Sequence, residues 1–188
     1  DDACGQVSVS LPSLRVDAFT VGIAAELQKA RRTGLTFAPE AGTWRMRQVI
    51  NKLISEEDLY AAVESAYSQG WRRVKLYFLT GLPTETDQDT LAILKMARKC
   101  IEVGRRYQSG PSVTVSVGGF VPKPFTPFQW FGQNTEDELR RKIGLLRDEL
   151  KRQPKAYRGV QLKWHDARAS VVEGMMSRGD RRLGPVIE

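Results

Sequence analysis

Glu40 is the first residue of this chain whose type and position suggest chemistry. It lies in the segment Ala-Pro-Glu-Ala-Gly-Thr, residues 38–43, directly after an apolar run at 35–38 that predicts a short strand. A carboxylate at a strand end can accept hydrogen bonds from sugar hydroxyls or coordinate a metal. Gly42 would let a ligand approach the backbone, and the helix predicted beyond it offers free N–H donors. The loop by itself equally allows a solvated acid or a helix cap.

Two further loops have unusual compositions. In the segment Leu-Thr-Gly-Leu-Pro-Thr-Glu-Thr at 79–86, Gly81 would let an aromatic ring lie against the strand backbone, and Pro83 stiffens the exit. Glu85 and Thr86 suit the start of a helix, and the spacing of a P-loop is missing. Residues 118–128 hold three prolines and three phenylalanines, which favours an apolar pocket wall or a protein docking surface, with Lys123 as its charged group.

Strands and helices must alternate to position these loops. Alternating apolar residues predict strands at 7–11, 35–38, 73–79, 113–117 and 160–164. Helical periodicity and capping signals predict helices between them, with starts near Ser55, Thr86 and Thr135. This alternation indicates βαβ units and a parallel sheet. The loops at 10–15, 38–43, 80–86 and 118–130 would then meet at the carboxyl ends of the strands, where barrel enzymes carry out chemistry.

Composition limits the class of protein. The 188 residues are 41% hydrophobic and 27% charged, and no apolar run approaches the length of a membrane span. The N-terminus does not resemble a signal peptide, and two distant cysteines, Cys4 and Cys100, suit a reducing cytoplasm, so we expect a cytoplasmic protein. The abrupt opening suggests a piece of a longer protein. His165, the single histidine, is the one general-base candidate with an ordinary pKa near neutrality, although a lone histidine is more often a surface or capping residue.

The net charge of +7 comes mostly from the C-terminal part of the chain. Six cationic residues fall on one predicted helix: Arg140, Arg141, Lys142, Arg147, Lys151 and Arg152. Asp148 and Glu149 interrupt them, which favours a solvated helix face. The remaining interpretation is a surface that binds RNA or another polyanion.

Four of these segments, in the same order, resemble radical S-adenosylmethionine (SAM) enzymes. The Leu-Thr-Phe-Ala-Pro-Glu-Ala-Gly and Gly-Leu-Pro-Thr-Glu-Thr segments are closest to the methylthiotransferase-like and cobalamin-domain-linked branches. Ser-Leu-Pro-Ser-Leu-Arg at 10–15 resembles the third strand of the family, and Phe-Val-Pro-Lys-Pro-Phe-Thr-Pro at 120–127 resembles its sixth-strand segment. The C-terminal end is similar to an extension found in one uncharacterised subgroup. Each motif alone is weak, whereas four in register are specific.

The resemblance implies an incomplete TIM-like (β/α) barrel, with parallel strands forming an open arc inside a layer of helices. Residues 1–158 would form strands three to six of the barrel, and 159–188 a C-terminal extension. SAM would lie across the strands, with Glu40 on its ribose and Lys52 near its carboxylate. Adenine and methionine would contact the other residues that match the family: Leu79, Gly81, Val121 and Pro122 for adenine, and Ser13 and Arg15 for methionine.

One feature of the family is missing from the sequence. Three cysteines spaced C-x3-C-x2-C normally hold a [4Fe–4S] cluster, and no such triplet occurs here. We therefore expect the cluster ligands, with the first strands of the barrel, to lie upstream in an intact parent protein, which could also carry a cobalamin-binding domain. A natural protein that lost the motif is the alternative. In the parent, the cluster would cleave SAM reductively to a 5′-deoxyadenosyl radical that acts on an unknown substrate.

Two other functions stay open from the residues alone. The chain could be a non-enzymatic basic α/β module that binds RNA or a protein partner through the C-terminal helix and the Phe/Pro loop. It could also be a barrel enzyme that binds a phosphorylated substrate at the helix after Gly42. The radical SAM interpretation names no catalytic residue and no metal ligand within the chain.

Overall fold

The computed structural model describes residues 35–188, and the strand predicted at 7–11 lies outside them. Four strands form one sheet: β1 (Leu35–Glu40), β2 (Arg73–Thr80), β3 (Ser112–Gly119) and β4 (Val160–Trp164). They pair in the order β1-β2-β3-β4, and every pair is parallel. The α/β class and the adjacent parallel strands predicted from the sequence are confirmed. The sheet is compatible with part of a barrel, and the barrel itself stays a prediction.

Helices connect successive strands. Helices α1 (Trp44–Val49) and α2 (Glu56–Ser68) link β1 to β2, and α3 (Asp87–Gly104) links β2 to β3. A 3-10 turn (Pro127–Trp130) and α4 (Glu136–Arg152) precede β4, and α5 (Ala167–Arg178), a 3-10 turn (Arg181–Leu183) and α6 (Gly184–Ile187) follow it. Among residues 35–188, no helix combines the length and apolar character that crossing a bilayer requires.

The helices begin where the sequence signals predicted. Ser55 and Thr86 each form a capping box with the acid three residues later, Asp58 and Asp89. Thr135 caps α4 by accepting a hydrogen bond from the backbone N–H of Glu138. These side chains satisfy N–H groups that have no partner within their helix, so each crossover starts at a defined residue.

The main core lies between one face of the sheet and helices α2, α3 and α4. Val74, Leu76 and Phe78 of β2 alternate inward and pack with apolar residues from these helices, among them Leu59, Val63, Ile93, Leu94 and Leu146. Cys100 of α3 belongs to the same cluster, as expected for a small apolar residue. The opposite face of the sheet carries the alternate residues, which are half-buried or exposed along β2 and β4.

A second, smaller apolar cluster holds the loops at the carboxyl ends of the strands. Ala41, Met46 and Leu82 are buried together, and Leu79 and Phe120 pack against them. Because these residues come from the connections after β1, β2 and β3, they fix the three loops relative to one another. The proposed division at residue 158 stays a prediction, and the structure adds that β4, which lies beyond it, pairs with β3 in the same sheet.

Candidate functional site

Glu40 ends β1 in a backbone conformation that is unusual for its residue type. Its φ is +68°, in the left-handed region, and the pairing register of β1 against β2 shifts between Phe37 and Glu40. A residue with a side chain has a cost of about 1–2 kcal/mol in this region. Such strain persists only where the surrounding structure requires it, and it is common at binding and active sites. No residue pattern predicted this conformation.

Lys52 lies beside Glu40. The Nζ atom of Lys52 is 3.7 Å from Oε1 of Glu40, and both side chains are about one-third exposed. Burial raises the pKa of the Glu40 carboxyl, and the charge and hydrogen bonding of Lys52 oppose that rise. The structure thus brings together the two polar residues for which the resemblance implies contacts with SAM, Glu40 with its ribose and Lys52 with its carboxylate.

A groove of about 490 Å³ opens beside Glu40 at the carboxyl ends of β1, β2 and β3. This volume lies within the range of small-molecule sites, roughly 300–1,000 Å³. Apolar and aromatic side chains form most of its wall, and a few polar groups stand among them. The lining residues include Ala38, Glu40, Tyr77, Leu79, Phe120, Val121, Lys123, His165 and Glu173.

Three of the predicted contacts, Glu40, Leu79 and Val121, line this groove, on strands or loops separated by long stretches of sequence. Lys52 does not line it directly and reaches it through Glu40. Pro122 is buried next to Val121 and is not among the lining residues. Ser13, Arg15 and Cys4 lie outside the described residues.

Gly81 is not among the residues that line the groove. Its φ is +85°, and a Cβ atom there would lie 3.0 Å from Nδ2 of Asn134 and 3.1 Å from a methyl group of Leu139. Its N–H donates a 2.6 Å hydrogen bond to Oε2 of Glu85. The tight space at Gly81 is therefore filled by protein atoms, and the adenine contact implied for this residue stays a prediction.

Glu85 carries a role that the sequence interpretation missed. Its carboxylate accepts hydrogen bonds from Gly81 N–H and, at 3.2 Å, from the Thr80 hydroxyl, and it lies 3.2 Å from Nζ of Lys142 on α4. The Glu85 and Lys142 side chains are both only 4% exposed. This buried ion pair clamps the loop after β2 between the strand end and α4. The sequence pattern, which predicted Lys142 on a basic helix face, did not predict this ion pair.

The loop after β1 differs from the expectation at Gly42. A Cβ atom there would lie 2.5 Å from the backbone nitrogen of Ile93 and 2.7 Å from the carbonyl oxygen of Asp89, so helix α3 occupies the space proposed for a ligand. Thr43 caps α1, which has only six residues, and its hydroxyl donates to Asp89 at 2.6 Å. Because the Asp89 carboxylate already lies at this helix start, the site suits a bound phosphate poorly.

Asp89 joins this loop to the start of α3. It accepts hydrogen bonds from Thr43 and Thr86 and forms an ion pair with Arg45. Burial raises the pKa of Asp89, but these hydrogen bonds outweigh burial and lower the pKa to about 2. Arg47, fully buried, adds hydrogen bonds to the carbonyl oxygens of Ala41 and Ile54. Both residues hold the groove's first loop in place.

The loop rich in proline and phenylalanine packs on itself and on α5. Phe128 makes edge-on ring contacts with Phe120 and Phe131, at centroid distances of 5.6 and 5.7 Å. Lys123 pairs with Glu173 and donates a 2.9 Å hydrogen bond to the Ser177 hydroxyl, both on α5. The loop supplies part of the groove wall, as expected, while Phe125 and Trp130 stay largely exposed.

His165 lies between the groove and a second cleft of about 460 Å³, bounded by α4, α5 and the ends of β3 and β4. Its backbone N–H continues the sheet by donating to the Val117 carbonyl at 3.0 Å. Trp164 and Arg147 also line the cleft, and the Arg147 guanidinium stacks over the Trp164 ring at 5.5 Å. The histidine thus lines both cavities, and among residues 35–188 no side chain is hydrogen-bonded to its ring to orient it as a catalytic base.

Most of the cations on α4 have acidic partners. Arg140 pairs with Glu136, Arg152 with Glu149, and Lys142 with Glu85. Arg141 contacts both Asp87 and Glu138. Local neutralisation of four of the six cations favours the solvated, ion-paired face over a dedicated polyanion surface.

The described residues do not fit an iron–sulfur cluster. Cys100 is their one cysteine; it is buried in α3, and burial raises the pKa of its thiol, which opposes the thiolate that a metal requires. Within residues 35–188, no group of three or more histidine, cysteine or acidic side chains converges as a metal site would. The groove, in contrast, has a carboxylate, Glu40, paired with Lys52, among mostly apolar lining residues, which is the side-chain chemistry that a nucleoside-like ligand requires.

Comparison with known proteins leaves the family open. No protein-family model matches the chain. An uncharacterised protein of Methanocaldococcus jannaschii is 30% identical over 182 residues, which cover 97% of this chain and 37% of that protein. The chain therefore corresponds to a little over one-third of this relative's length. Because the relative is itself uncharacterised, the similarity brings no activity to this chain.

Proposed function

We propose that this chain is the SAM-binding portion of a radical SAM enzyme, built on part of an open (β/α) barrel. The cluster, which supplies the electron for SAM cleavage, would be held by cysteines outside this chain. The substrate-binding edge would be the carboxyl ends of the strands, as in other parallel α/β enzymes. Cobalamin remains a proposal for a separate domain of the intact protein.

The observation that carries the proposal is the groove beside Glu40. Glu40, Leu79 and Val121, which match the family motifs in three separate segments, line the same cavity, and Lys52 pairs with Glu40 at 3.7 Å. Adjacent parallel strands bring these three residues to one edge of the sheet, and the support for the proposal is that the cavity there combines a carboxylate with apolar walls. The carboxylate could accept hydrogen bonds from both ribose hydroxyls, while Leu79 and Val121 could cover the faces of an adenine ring.

Calorimetric titration of SAM tests this function. Glu40→Ala should weaken SAM binding by about 1–3 kcal/mol, the cost of leaving a buried polar partner unpaired. Glu57→Ala, on the exposed face of α2, is the matched control and should leave the affinity unchanged. Equal SAM affinity in both variants, or a failure of the unmodified chain and of its longer parent to bind SAM, would contradict the proposal.

The second test concerns the cluster. Reconstituted anaerobically with iron and sulfide, the 188-residue chain should form no [4Fe–4S] cluster and no 5′-deoxyadenosine, since its two thiols, Cys4 and Cys100, are too few. A cysteine triplet within about a hundred residues upstream in the parent reading frame would support the proposal. Deoxyadenosine production by the chain itself would contradict the placement of the cluster ligands elsewhere.

The alternative, a basic module that binds RNA or a protein, has narrower support. It depends on the Arg147–Trp164 stack, where a nucleobase could replace the guanidinium, and on the exposed rings of Phe125 and Trp130. The ion pairs along α4 count against an electrostatic surface of the size that RNA binding uses. Salt-dependent binding of an oligoribonucleotide by a chain that does not bind SAM would favour this alternative.

A further inference from the structure

A belt of polar side chains crosses the sheet on the face opposite the helical core. On β2 the core side holds Val74, Leu76 and Phe78, so Lys75 and Tyr77 point to the other face. On β4, Val160 and Leu162 pack against the core, which places Lys163 on the same face as Tyr77.

The strand register sets these residues side by side. Tyr77 of β2 is paired with Ser116 of β3, and Ser116 is paired with Lys163 of β4. Two steps across a sheet separate Tyr77 and Lys163 by roughly 10 Å of backbone, which their long side chains can bridge. His165 follows two residues after Lys163 and lines the groove together with Tyr77. Tyr77 therefore connects the belt to the groove, which Lys75 and Lys163 do not line.

The Tyr77 hydroxyl can donate its own proton to a ligand, because its oxygen accepts a hydrogen bond from Lys75. The Nζ atom of Lys75 donates a 2.7 Å hydrogen bond to the Tyr77 hydroxyl oxygen and lies 4.4 Å from the centre of the ring. A phenol that accepts a hydrogen bond from a cation becomes a stronger donor through its own O–H, because hydrogen bonds in a chain polarise one another. Since Tyr77 lines the groove, a bound acceptor is the natural partner for that proton.

The charges at the groove also favour an anion. The two acids that line it, Glu40 and Glu173, already pair with Lys52 and Lys123. Among the ion pairs of residues 35–188, neither Lys75 nor Lys163 has a carboxylate partner. Within residues 35–188 the belt thus adds two positive charges and a phenol donor, with no carboxylate paired to either lysine.

We infer that the belt binds a phosphate group of the substrate, with Tyr77 donating a hydrogen bond and Lys75 and Lys163 supplying charge. Two cations and a neutral donor suit a dianion better than a single carboxylate. The inference rests on the proposed function, which makes the groove the SAM site and its edge the place where the substrate would lie. It assigns the substrate to a chemical class, phosphorylated compounds, that the resemblance leaves open.

Orthophosphate is the probe for this site, observed by 31P NMR at low ionic strength and about pH 8, where a phosphate group is dianionic. The chain should bind it without SAM. Lys163→Met should weaken binding roughly tenfold or more, and Tyr77→Phe by a few-fold, as expected for charged and neutral hydrogen bonds. Lys95→Met, at an exposed position on α3, is the matched control and should bind phosphate like the unmodified chain.

Each outcome decides the inference. Absence of phosphate binding, or binding that Lys163→Met and Lys95→Met weaken equally, would overturn it, and tighter binding of malonate than of phosphate would overturn the choice of phosphate over carboxylate. Thermal melting of each variant verifies that the fold is intact. Because SAM is titrated separately, phosphate binding without SAM binding would overturn the proposed function alone, whereas the reverse result would overturn only the phosphate site.

Discussion

Two glutamate–lysine pairs lie near the carboxyl ends of the strands, and they differ in almost every physical respect. Glu85 and Lys142 are 3.2 Å apart, both side chains are buried, and the carboxylate accepts two further hydrogen bonds from the end of β2. Glu40 and Lys52 are 3.7 Å apart, partly exposed, and Glu40 has a strained backbone. The first pair is fully engaged within the protein, whereas the second keeps capacity for a ligand.

The difference in burial between the two pairs indicates different capacities: the buried pair can support the fold, and the half-exposed pair can bind a ligand. A buried ion pair with complete hydrogen bonding holds its elements in fixed positions, and removing one partner strands a charge in the interior. A half-exposed pair contributes little to stability, so either of its groups can leave the other and bind a ligand at a small cost in free energy. The clamp at Glu85 therefore positions the loop after β2, whereas Glu40 lines the groove with Lys52 beside it.

The largest expected effect comes from breaking the buried pair. Lys142→Met should lower the free energy of unfolding by about 3–5 kcal/mol, because Glu85 would remain charged and buried without its partner. Chemical denaturation measures the loss. Arg141→Met, on the same helix but in exposed ion pairs, is the control and should cost much less, because solvent screens exposed pairs. Equal losses in the free energy of unfolding of the two variants would contradict the greater contribution of the buried Glu85–Lys142 pair.

A pH-dependent effect of intermediate size is expected at Asp89. Its folded pKa of about 2 lies below its ordinary value of 3.8, so its ionised form stabilises the fold above about pH 4, and this contribution is lost as the pH falls towards 2. Asp89→Asn should therefore cost about 2 kcal/mol at neutral pH. The difference in the free energy of unfolding between the unmodified chain and Asp89→Asn should therefore become smaller in acid.

Urea unfolding between neutral pH and about pH 3 measures this difference. Asp58→Asn is the matched control, because Asp58 occupies the same position in an exposed capping box. It should cost about 1 kcal/mol or less. A cost for Asp89→Asn that is the same at every pH would show that the aspartate does not titrate as described.

The smallest expected effect is at the exposed pair. Lys52→Met should change the free energy of unfolding by less than about 1 kcal/mol. It should also raise the pKa of Glu40 further, because the lysine now opposes the effect of burial. NMR titration of the Glu40 side chain measures the shift, and Lys52→Arg should preserve the original pKa. A large loss of stability would assign this pair to the scaffold.

The sequence predicted the elements well because their signals are local. Apolar alternation located the four described strands, and the capping residues Ser55, Thr86 and Thr135 located three helix starts. Three residues of the predicted SAM site, Glu40, Leu79 and Val121, line one groove, and their contact with SAM stays a prediction. Gly42 was misjudged, because a glycine needed for close approach looks the same whether a ligand or a helix approaches it.

What the sequence by itself determined is the order of strands and helices and the loops that follow the strands, since periodicity and caps depend on neighbouring residues. Only the tertiary structure decided which polar residues are engaged and which face the groove. Glu85 meets Lys142, and Tyr77 comes level with Lys163, because separate elements pack together in one register. No local pattern encodes that packing, so a buried pair and a half-exposed pair, each a glutamate with a lysine, cannot be told apart until the chain is folded.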